Sequence, residues 1–373
     1  MLTGIPCTLM RGGTSKGLYF NAADLPADIR IRDRVLVAAM GSPDPRQTDG
    51  VGGGHPLTSK VAIIGPPTHP QADVDYLFLQ VNVGEAVVTD NQNCGNILAG
   101  VGPWAIERGL VNPLEAVTPV RIHMLNTKTL AVARVSTPNR RVEYDGDERI
   151  DGVYGTAAAI PIEFVDTAGS TCGSLLPTGK PVEILEGVAA TCIDNGMPVV
   201  LLNAADFGLT GSETPAVLEA DAALRARIEC IRLAAGRAMG LGDVTAKSIP
   251  KMCLVSPARN GGSVATRTFI PHRVHESIGV LGAVSVATAC VLPGAVGHAF
   301  VSGHGRTGLR RIVIEHPTGS FAVDVDVRER GGVVEVTSAA LLRTARKLMD
   351  GTVYVPGWAL APGGDQSPAA ARS

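Results

Sequence analysis

The sequence predicts an α+β fold built from two similar halves, each a set of strands around one buried helix. Stretches of alternating apolar and polar residues, typical of strands, occur in both halves of the 373-residue chain. Two helical segments, Gly95 to Leu110 and Ile278 to Leu292, are apolar nearly all round. A helix without a polar face has to be covered on every side, so each is expected inside its own shell of strands. Both helices open on a glycine-containing turn, which indicates a weak internal repeat of about half the chain.

Strands are indicated by three stretches. "VDYLFLQVNVGEAVVT" alternates from Val74 to Thr89 with a break at Gly84, and "TLAVARVS" continues the pattern. "RRIVIEHPTGSFAVDVDVRE" predicts a hairpin with its turn at residues 316–319. "RKLMDGTVYV" predicts a further hairpin, turned at Asp350-Gly351.

Two more helices follow from composition and spacing. "RDRVLVAAM" predicts a short helix that stops at Gly41. An apolar stripe from Leu218 to Met239 predicts a long amphipathic helix closed by Gly240.

The length predicts two domains. The segment "SLLPTGKP", residues 174–181, is interpreted as the linker. We therefore expect an N-terminal domain over residues 1–180 and a C-terminal domain over 181–357, whose last strands are free to return to the first domain. Residues 358–373, rich in Pro, Gly and Ala, predict a flexible tail.

Composition argues against several classes of protein. The net charge is −2 and aromatic residues make up 4 %, which speaks against a nucleic-acid surface. The sequence contains no uninterrupted apolar run long enough to predict a membrane span. The N-terminus lacks a signal pattern, so a cytoplasmic location is expected. Seven cysteines without C-x-x-C spacing indicate reduced thiols rather than a zinc site.

The stretch "MRGGTSKGLYF", residues 10–20, has the composition of an anion-binding loop. A phosphate-binding P-loop places its lysine before the hydroxyl residue, whereas here Thr14 and Ser15 precede Lys16. Backbone N–H groups, the two hydroxyls and Arg11 or Lys16 are candidate donors to a carboxylate instead.

Cys94 stands in "TDNQNCGNILAG", directly before the first apolar helix. A helix N-terminus stabilises a thiolate or a bound carboxylate, and Asn93 and Asn96 add uncharged donors. A core-filling role for Cys94 is the alternative.

Lys60 follows the glycine-rich segment "DGVGGGHPLTS" and opens the apolar strand "VAII". Glycines let the backbone approach a ligand, and a desolvated lysine is suited to act as a general base. A solvated lysine at a strand end is the alternative.

The second half offers weaker signals. "CIDNGMPVV" predicts a type I′ hairpin at Asp194-Asn195-Gly196 and, as the less favoured alternative, a ligand-facing turn. The cations Lys251, Arg259 and Arg273 and the histidines His272 and His275 fall near the second apolar helix and suit a multiply charged anion.

Several of these motifs together resemble the PrpF-type isomerases over about residues 6–357. They are "LMRGGTSKG", "MGSPDPRQTDGVGG", "LTSKVAII", "NCGNILAGVGP", "CIDNGMPVV", "PKMC" and "HESIGVLGAVSVATAC". The resemblance implies the diaminopimelate-epimerase fold: two pseudo-symmetric domains, each a curved, mainly antiparallel sheet around a central buried helix. Within the family, the chain most resembles the 4-oxalomesaconate tautomerases of aromatic acid degradation.

The resemblance also implies the site and its chemistry. Lys60 corresponds to the family's general base and Cys94 to its active-site cysteine, in a 1,3-allylic proton transfer on a di- or tricarboxylate that needs no cofactor and no metal. No nucleic acid or membrane partner is expected, and a homodimer is the working expectation. Substrate binding is expected from the following residues: Arg11, Gly13, Thr14, Ser15, Asn93, Gly95, Asn96, Asn195, Met197, Lys251, Arg273, His275, Ser277 and Gly279.

Three alternatives stay open. A 2-methylaconitate or methylitaconate isomerase of propionate metabolism would use the same residues. A two-thiol epimerase is less consistent with the sequence, because the turn before the second apolar helix contains Ser277 and glycines but no cysteine. A binding protein without turnover is the third alternative, although Lys60, Cys94 and both glycine-rich loops are present.

Overall fold

The computed structural model describes residues 1–90, 94–271, 273–301, 307–331 and 333–361. Within these residues the helices are α1 Ile29–Met40, α2 Gly95–Glu107, α3 Pro215–Ala220, α4 Ala222–Ala238 and α5 Val280–Val291. The strands of the first part are β1 Leu2–Gly12, β2 Ser15–Asn21, β3 Lys60–Gly65, β4 Val74–Val81, β5 Val88–Thr89, β6 Ala116–Met124, β7 Thr129–Thr137 and β8 Ile160–Val165. The remaining strands are β9 Glu183–Leu185, β10 Val188–Asp194, β11 Pro198–Asn203, β12 Lys251–Ser256, β13 Val264–Phe269, β14 Gly308–His316, β15 Gly319–Arg330, β16 Val333–Arg343 and β17 Ala345–Pro356.

The chain divides into two compact units. The first comprises Met1–Ile162 together with Arg343–Ser373, and the second comprises Glu163–Leu342. The division along the chain falls inside β8 and at the end of β16. The boundary expected at residue 180 and the linker expected at 174–181 both lie inside the second unit. Strand β17 pairs antiparallel with β1 along its length, which joins the C-terminal segment to the first unit.

In the first unit, six strands follow one another in a fixed pattern of directions. The pairs β1–β2, β3–β4 and β6–β7 are antiparallel, whereas β2–β3 and β4–β6 are parallel. Helix α2 contacts all six of these strands and β17. A sheet whose strands all reach one helix has to curve around it, so α2 is the central helix of this unit.

The second unit repeats this order. The pairs β10–β11, β12–β13 and β14–β15 are antiparallel, and β11–β12 and β13–β14 are parallel. Helix α5 contacts β10, β11, β14 and β15 and occupies the place that α2 has in the first unit. The α+β class, the repeat and the two central helices predicted from the sequence are therefore confirmed.

Each sheet also carries a helix on its other face. In the first unit, α1 packs with Leu18 and Phe20 of β2 and Val61 and Ile63 of β3 in one apolar cluster. In the second unit, α4 packs in the same way on β10, β11 and β12. Because side chains alternate along a strand, the residues between these apolar positions point to the opposite face, toward α2 or α5.

Two local predictions were wrong. Residues 345–356 form the single strand β17 without a turn at Asp350-Gly351, because the whole stretch pairs with β1. The predicted helix from Leu218 to Met239 is interrupted at Asp221, which caps α4 by accepting from the Leu224 N–H. The hairpin at 316–319 is confirmed, since His316 pairs with Gly319.

The first four residues of the expected tail, 358–361, are described and pack on the first unit. Residues Gly357–Leu360 form a 3₁₀ turn in which Ala359 is buried and Trp358 packs against the α1 cluster. Residues 362–373 lie outside the described part of the chain. None of the described helices combines the length and apolar character needed to span a membrane.

Candidate active site

Lys60 is the first residue of β3 and points to the face of the sheet that carries α2. Its neighbours Val61 and Ile63 point the other way, into the α1 cluster. The Lys60 side chain is buried, and its Nζ donates a hydrogen bond to Cys94 Sγ over 3.4 Å. The same ammonium lies 5.5 Å from the centre of the Phe78 ring, within range of a cation–π interaction. The solvated alternative for Lys60 does not fit this burial.

The residue before Lys60 is held from two directions. The Gln80 amide donates to the Ser59 carbonyl over 2.9 Å, and the Gln47 amide donates to the Ser59 hydroxyl over 2.7 Å. A side chain at Gly52 would overlap Gln47, and one at Gly50 would overlap the end of α1. Glycines at these two positions therefore let the loop wrap around Gln47, whereas the sequence interpretation assigned them to close approach of a ligand.

Cys94 is the N-cap of α2 and is buried. Its carbonyl accepts hydrogen bonds from the Leu98 N–H at 3.0 Å and from the Tyr76 hydroxyl at 3.3 Å. The Tyr19 hydroxyl donates to the Ile97 carbonyl one turn further on. Burial raises the pKa of both tyrosines well above the ordinary value, so both remain protonated donors. The helix start, and with it the sulfur, is thus fixed to β2 and β4.

The "RGGTSKG" stretch is a two-residue hairpin between β1 and β2, in which Gly12 pairs with Ser15. The φ of Gly13 is +51°, whereas the φ of Thr14 is not positive. This is the pattern of a type II′ turn. A side chain at Gly13 would overlap Asn96 in the first turn of α2. Asn96 Nδ2 also donates to the Thr14 hydroxyl over 3.0 Å, so the hairpin is docked on the start of the helix.

The donors of this hairpin have different partners. The Gly13 N–H donates to the Thr344 carbonyl at 2.8 Å. Arg11 donates to the carbonyls of Gly13 and Thr344 and to the Thr344 hydroxyl. These contacts favour a positioning role for Arg11, whereas the sequence predicts that it binds substrate. Lys16 alternates with Ser15 and shares the α1 face with Leu18, away from Cys94.

Ser15 carries the second hydroxyl of the hairpin, and its environment differs from that of Thr14. It is 1 % exposed, and its Oγ has no hydrogen-bond partner among the residues that the structure describes. Ser15 shares its face of β2 with Tyr19, which bonds to α2, so the hydroxyl lies on the α2 side of the sheet. A buried hydroxyl without a partner costs roughly 1–3 kcal/mol, which a bound acceptor would offset.

In the second unit, four of the expected residues come together near the start of α5. Lys251 opens β12, and His275 Nδ1 accepts from the Ser277 N–H over 2.9 Å. Burial lowers the pKa of both Lys251 and His275, and the Lys251 charge lowers the His275 pKa further. Ser277 Oγ also lies 3.3 Å from His316 Nε2. Gly279 is the N-cap of α5.

Other expected residues in this unit have structural partners. Asn195 is buried and bonded to Thr167, Ser285 and Thr288, which docks the 194–198 hairpin on α5. The Met197 carbonyl accepts from Ser285. The hairpin prediction is confirmed, with Asp194 paired to Pro198 across a three-residue loop instead of a two-residue type I′ turn.

Arg273, 80 % exposed, pairs with Glu219 at 3.0 Å, a surface ion pair. Asn93 and His272 lie outside the described residues.

The internal repeat relates the two sets of residues. Lys60 pairs with Gly17 at the start of the parallel β2–β3 ladder, and Lys251 pairs with Val199 at the start of the β11–β12 ladder. Cys94 caps α2 where Gly279 caps α5. The second unit thus keeps the lysine position and lacks the thiol. Within the described residues, no group of three or more His, Cys, Asp or Glu side chains could hold a metal ion.

A model of the PrpF protein family matches residues 2–356. The chain belongs to the PrpF family. It is 60 % identical over 350 residues to a (4E)-oxalomesaconate Δ-isomerase of Novosphingobium sp., covering 94 % of this chain and 97 % of the relative. It is 58 % identical over 353 residues to a 4-oxalomesaconate tautomerase of Pseudomonas putida, covering 95 % and 96 %. Among solved structures it resembles methylitaconate Δ-isomerase, with a TM-score of 0.85, 36 % identity and coverage of 98 % and 99 %.

This PrpF protein also contains a residue near Cys94 that sequence reasoning missed. Arg343, the last residue of β16, is 7 % exposed and interacts electrostatically with Cys94. No local motif marks it, because it follows the apolar run "AALL" and is 249 positions from Cys94 along the chain. Burial lowers the pKa of Arg343 to about 10, so the guanidinium remains charged at neutral pH.

Proposed function

We propose that this protein is a cofactor-independent isomerase that moves a carbon–carbon double bond of 4-oxalomesaconate by 1,3-allylic proton transfer. The proposal is carried by the Lys60–Cys94 pair, two proton-transfer groups 3.4 Å apart at a helix N-terminus. The identities of 60 % and 58 % to 4-oxalomesaconate isomerases support the substrate.

In the proposed reaction, the Lys60 amine removes a proton from the allylic carbon. The electron pair of the broken C–H bond forms a new double bond to the neighbouring alkene carbon. The π electrons of the original double bond move toward the far carbon and its conjugated carbonyl group, which gives a dienolate. A proton then enters at the far carbon, delivered by Lys60 or by the Cys94 thiol. One proton leaves and one returns, so no oxidant or co-reactant is needed. When Cys94 delivers it, the hydrogen bond from Lys60 returns a proton to the sulfur.

The dienolate requires fixed hydrogen-bond donors, because a C–H bond beside a carboxylate is a weak acid. The N-terminal end of α2 supplies the positive end of the helix dipole. The buried Ser15 hydroxyl on the α2 side of β2, which has no partner among the described residues, supplies a donor. We assign these two features to carboxylate binding, with Arg11 and the Gly13 N–H holding the turn. Of the donors expected from the "RGGTSKG" motif, this assignment keeps the Ser15 hydroxyl.

A 2-methylaconitate or methylitaconate isomerase is the second candidate. The observation in its favour is the likeness over nearly the whole chain to methylitaconate Δ-isomerase. The same lysine and cysteine would serve it, and the substituent on the double bond would be a methyl group instead of an oxo or hydroxyl group. A two-thiol epimerase is disfavoured, since Gly279 stands where the second thiol would be needed.

The test follows ultraviolet absorbance of 4-oxalomesaconate and, separately, of 2-methylaconitate, because moving the double bond changes each spectrum. Wild-type protein is compared with Lys60→Met and with Lys180→Met, whose lysine is exposed. We expect turnover of the oxo acid by the wild type and the Lys180 variant, and loss by Lys60→Met. Turnover of methylaconitate alone would establish the second candidate. No reaction with either acid would favour a binding protein.

A further inference from the structure

Residues 141–159, here called the strap, lie between the 3₁₀ turn Pro138–Arg140 and β8. All of them are described, and they form no helix or strand apart from the isolated bridge between Glu148 and Ala157. Loops longer than about 12–15 residues without secondary structure of their own are uncommon, and many of them are active-site lids or binding loops. The length of the strap therefore indicates a role beyond joining two strands.

The strap crosses α2 from its last turn to its first. At one end, the Tyr144 hydroxyl donates to Glu107 Oε2 over 3.2 Å, and Glu107 is the last residue of α2. At the other end, a side-chain carbon at Gly152 would lie 3.1 Å from the Thr14 methyl group. Thr14 accepts a hydrogen bond from Asn96 in the first turn of the helix. The strap thus reaches the hairpin that is docked on the N-terminal end of α2.

The base of the strap is fixed, whereas its tip, residues 149–156, is exposed. Glu148 and Ala157 close the base by exchanging two backbone hydrogen bonds of 3.1 Å each. Within the tip, the Val153 N–H donates to the Ile150 carbonyl over the longer distance of 3.3 Å. Six of the eight residues of the tip are exposed. A segment that buries little surface opens and closes locally at low cost in free energy, so the tip is free to move on a fixed base.

Tyr154 carries the one aromatic ring of the tip and is fully exposed. Gly152 and Gly155 on either side of it have φ values of +81° and +86°. Glycine adopts positive and negative φ with similar ease, so the backbone is able to turn the ring in a different direction. Because the ring takes little part in packing, its movement would cost the fold few contacts.

We propose that the tip of the strap is a lid and that the Tyr154 ring closes over a polycarboxylic acid bound at the start of α2. This deepens the proposed function and rests on it. Closing the site expels water, which strengthens the hydrogen bond from Ser15 to the developing negative charge. The flat ring also packs well on the planar, conjugated part of an unsaturated acid. Tyr154 is then a residue that contacts the substrate in the closed state alone.

Kinetics of Tyr154→Ala and Tyr154→Phe test the role of the ring. We expect Tyr154→Ala to raise KM and lower kcat by about tenfold each, because loss of a lid contact affects both constants. Tyr154→Phe keeps the ring and should stay within about threefold of wild type. The matched control is Tyr354→Ala, which removes another exposed tyrosine, on β17, and should change neither constant. All three variants should unfold at the Tm of wild type, since both rings are exposed.

Closure itself is measured by acrylamide quenching of tryptophan fluorescence in Tyr154→Trp, with Tyr354→Trp as the control. Wild-type protein supplies the background from Trp104 and Trp358. The ligand is tricarballylate, a saturated tricarboxylate that cannot isomerise, and a rise in Tm shows that it binds. We expect bound tricarballylate to shield the tryptophan of Tyr154→Trp from acrylamide and to leave quenching of Tyr354→Trp unchanged.

The two experiments separate the lid from the proposed function. If wild type turns over neither acid but tricarballylate binds and shields Tyr154→Trp, the proposed function fails and the lid stands. Wild-type kinetics in Tyr154→Ala, or quenching of Tyr154→Trp that bound tricarballylate does not change, would overturn the lid and leave the proposed function intact. A wild type that neither reacts nor binds tricarballylate would overturn both.

Discussion

Lys60 and Cys94 are 34 positions apart in the chain, and a hydrogen bond of 3.4 Å joins Nζ to Sγ. The contact exists because the first residue of β3 and the N-cap of α2 meet on the concave face of the first unit's sheet. Neither side chain is solvated, since each is 8 % exposed. The proposed proton transfer therefore depends on this pair.

The pair is expected to act as a unit. Lys60→Met should lower kcat by about 10³-fold, in the range for loss of a general base. Cys94→Ser should lower it less, and the double variant should be no slower than Lys60→Met alone, because groups that act together are not additive. Kinetics of the four proteins test this. Cys230→Ser, which changes an exposed cysteine, is the control. Multiplicative losses in the double variant would show that the two residues act independently.

Gly13→Ala should loosen the hairpin from α2. The alanine would have to adopt a φ near +51°, which is strained for a residue with a Cβ atom. Its methyl group would also displace Asn96 from Thr14. We expect KM to rise about tenfold and the free energy of unfolding to fall by roughly 1–2 kcal/mol from backbone strain alone. The control is Gly109→Ala, where φ is +72° but, among the described residues, nothing beyond the two chain neighbours lies within 4 Å of the added carbon. If both variants raise KM equally, contact with Asn96 is not the cause.

Tyr76→Phe removes the hydrogen bond from the Tyr76 hydroxyl to the Cys94 carbonyl and leaves the one from the Leu98 N–H in place. The free energy of unfolding should fall by about 1 kcal/mol. Because the sulfur is then held less firmly, kcat should fall a few-fold with KM unchanged. Denaturant unfolding and steady-state kinetics measure the two effects, with the exposed Tyr354→Phe as control. A changed KM at constant kcat would contradict the positioning role.

Glu315 predicts a pH-dependent contribution to stability. Burial raises the pKa of this carboxyl, but N–H groups of Arg259, Gly262 and Asn260 outweigh it, and the pKa lies below the usual value. A lowered pKa stabilises the fold above the unfolded-state pKa of about 4.3 and loses this effect as the pH falls through the folded-state pKa. Glu315→Gln should therefore cost roughly 1–3 kcal/mol at pH 7.

Unfolding of Glu315→Gln and wild type by denaturant between pH 3 and pH 7 tests the sign. The difference in free energy should be constant near neutrality and shrink in the acid range. Glu186→Gln, at an exposed position, should show no such dependence. A difference that grows as the pH falls would mean that the carboxyl is held protonated.

By itself, the sequence determined the α+β class, the two central helices and, each on its own motif, Lys60 and Cys94 as candidate functional residues. These features depend on local composition. A helix that is apolar on all sides has to be covered, and a glycine-containing turn before a helix is recognisable as a short contiguous motif. The family resemblance drew on the same motifs. The helix at Ile29–Met40 and the turn at 316–319 were readable for the same reason, since caps and turns are local.

The tertiary structure decided which of the remaining candidates face Cys94. Alternation along β2 sends Ser15 to the α2 side and Lys16 to the α1 side, and the sequence carries no sign of which face is which. Arg11 is drawn into contacts with Thr344, and Arg343 is brought toward Cys94, only because β17 pairs with β1. The same pairing turned an expected hairpin at Asp350-Gly351 into one continuous strand, since ladder hydrogen bonds with a distant segment outweigh a local turn preference.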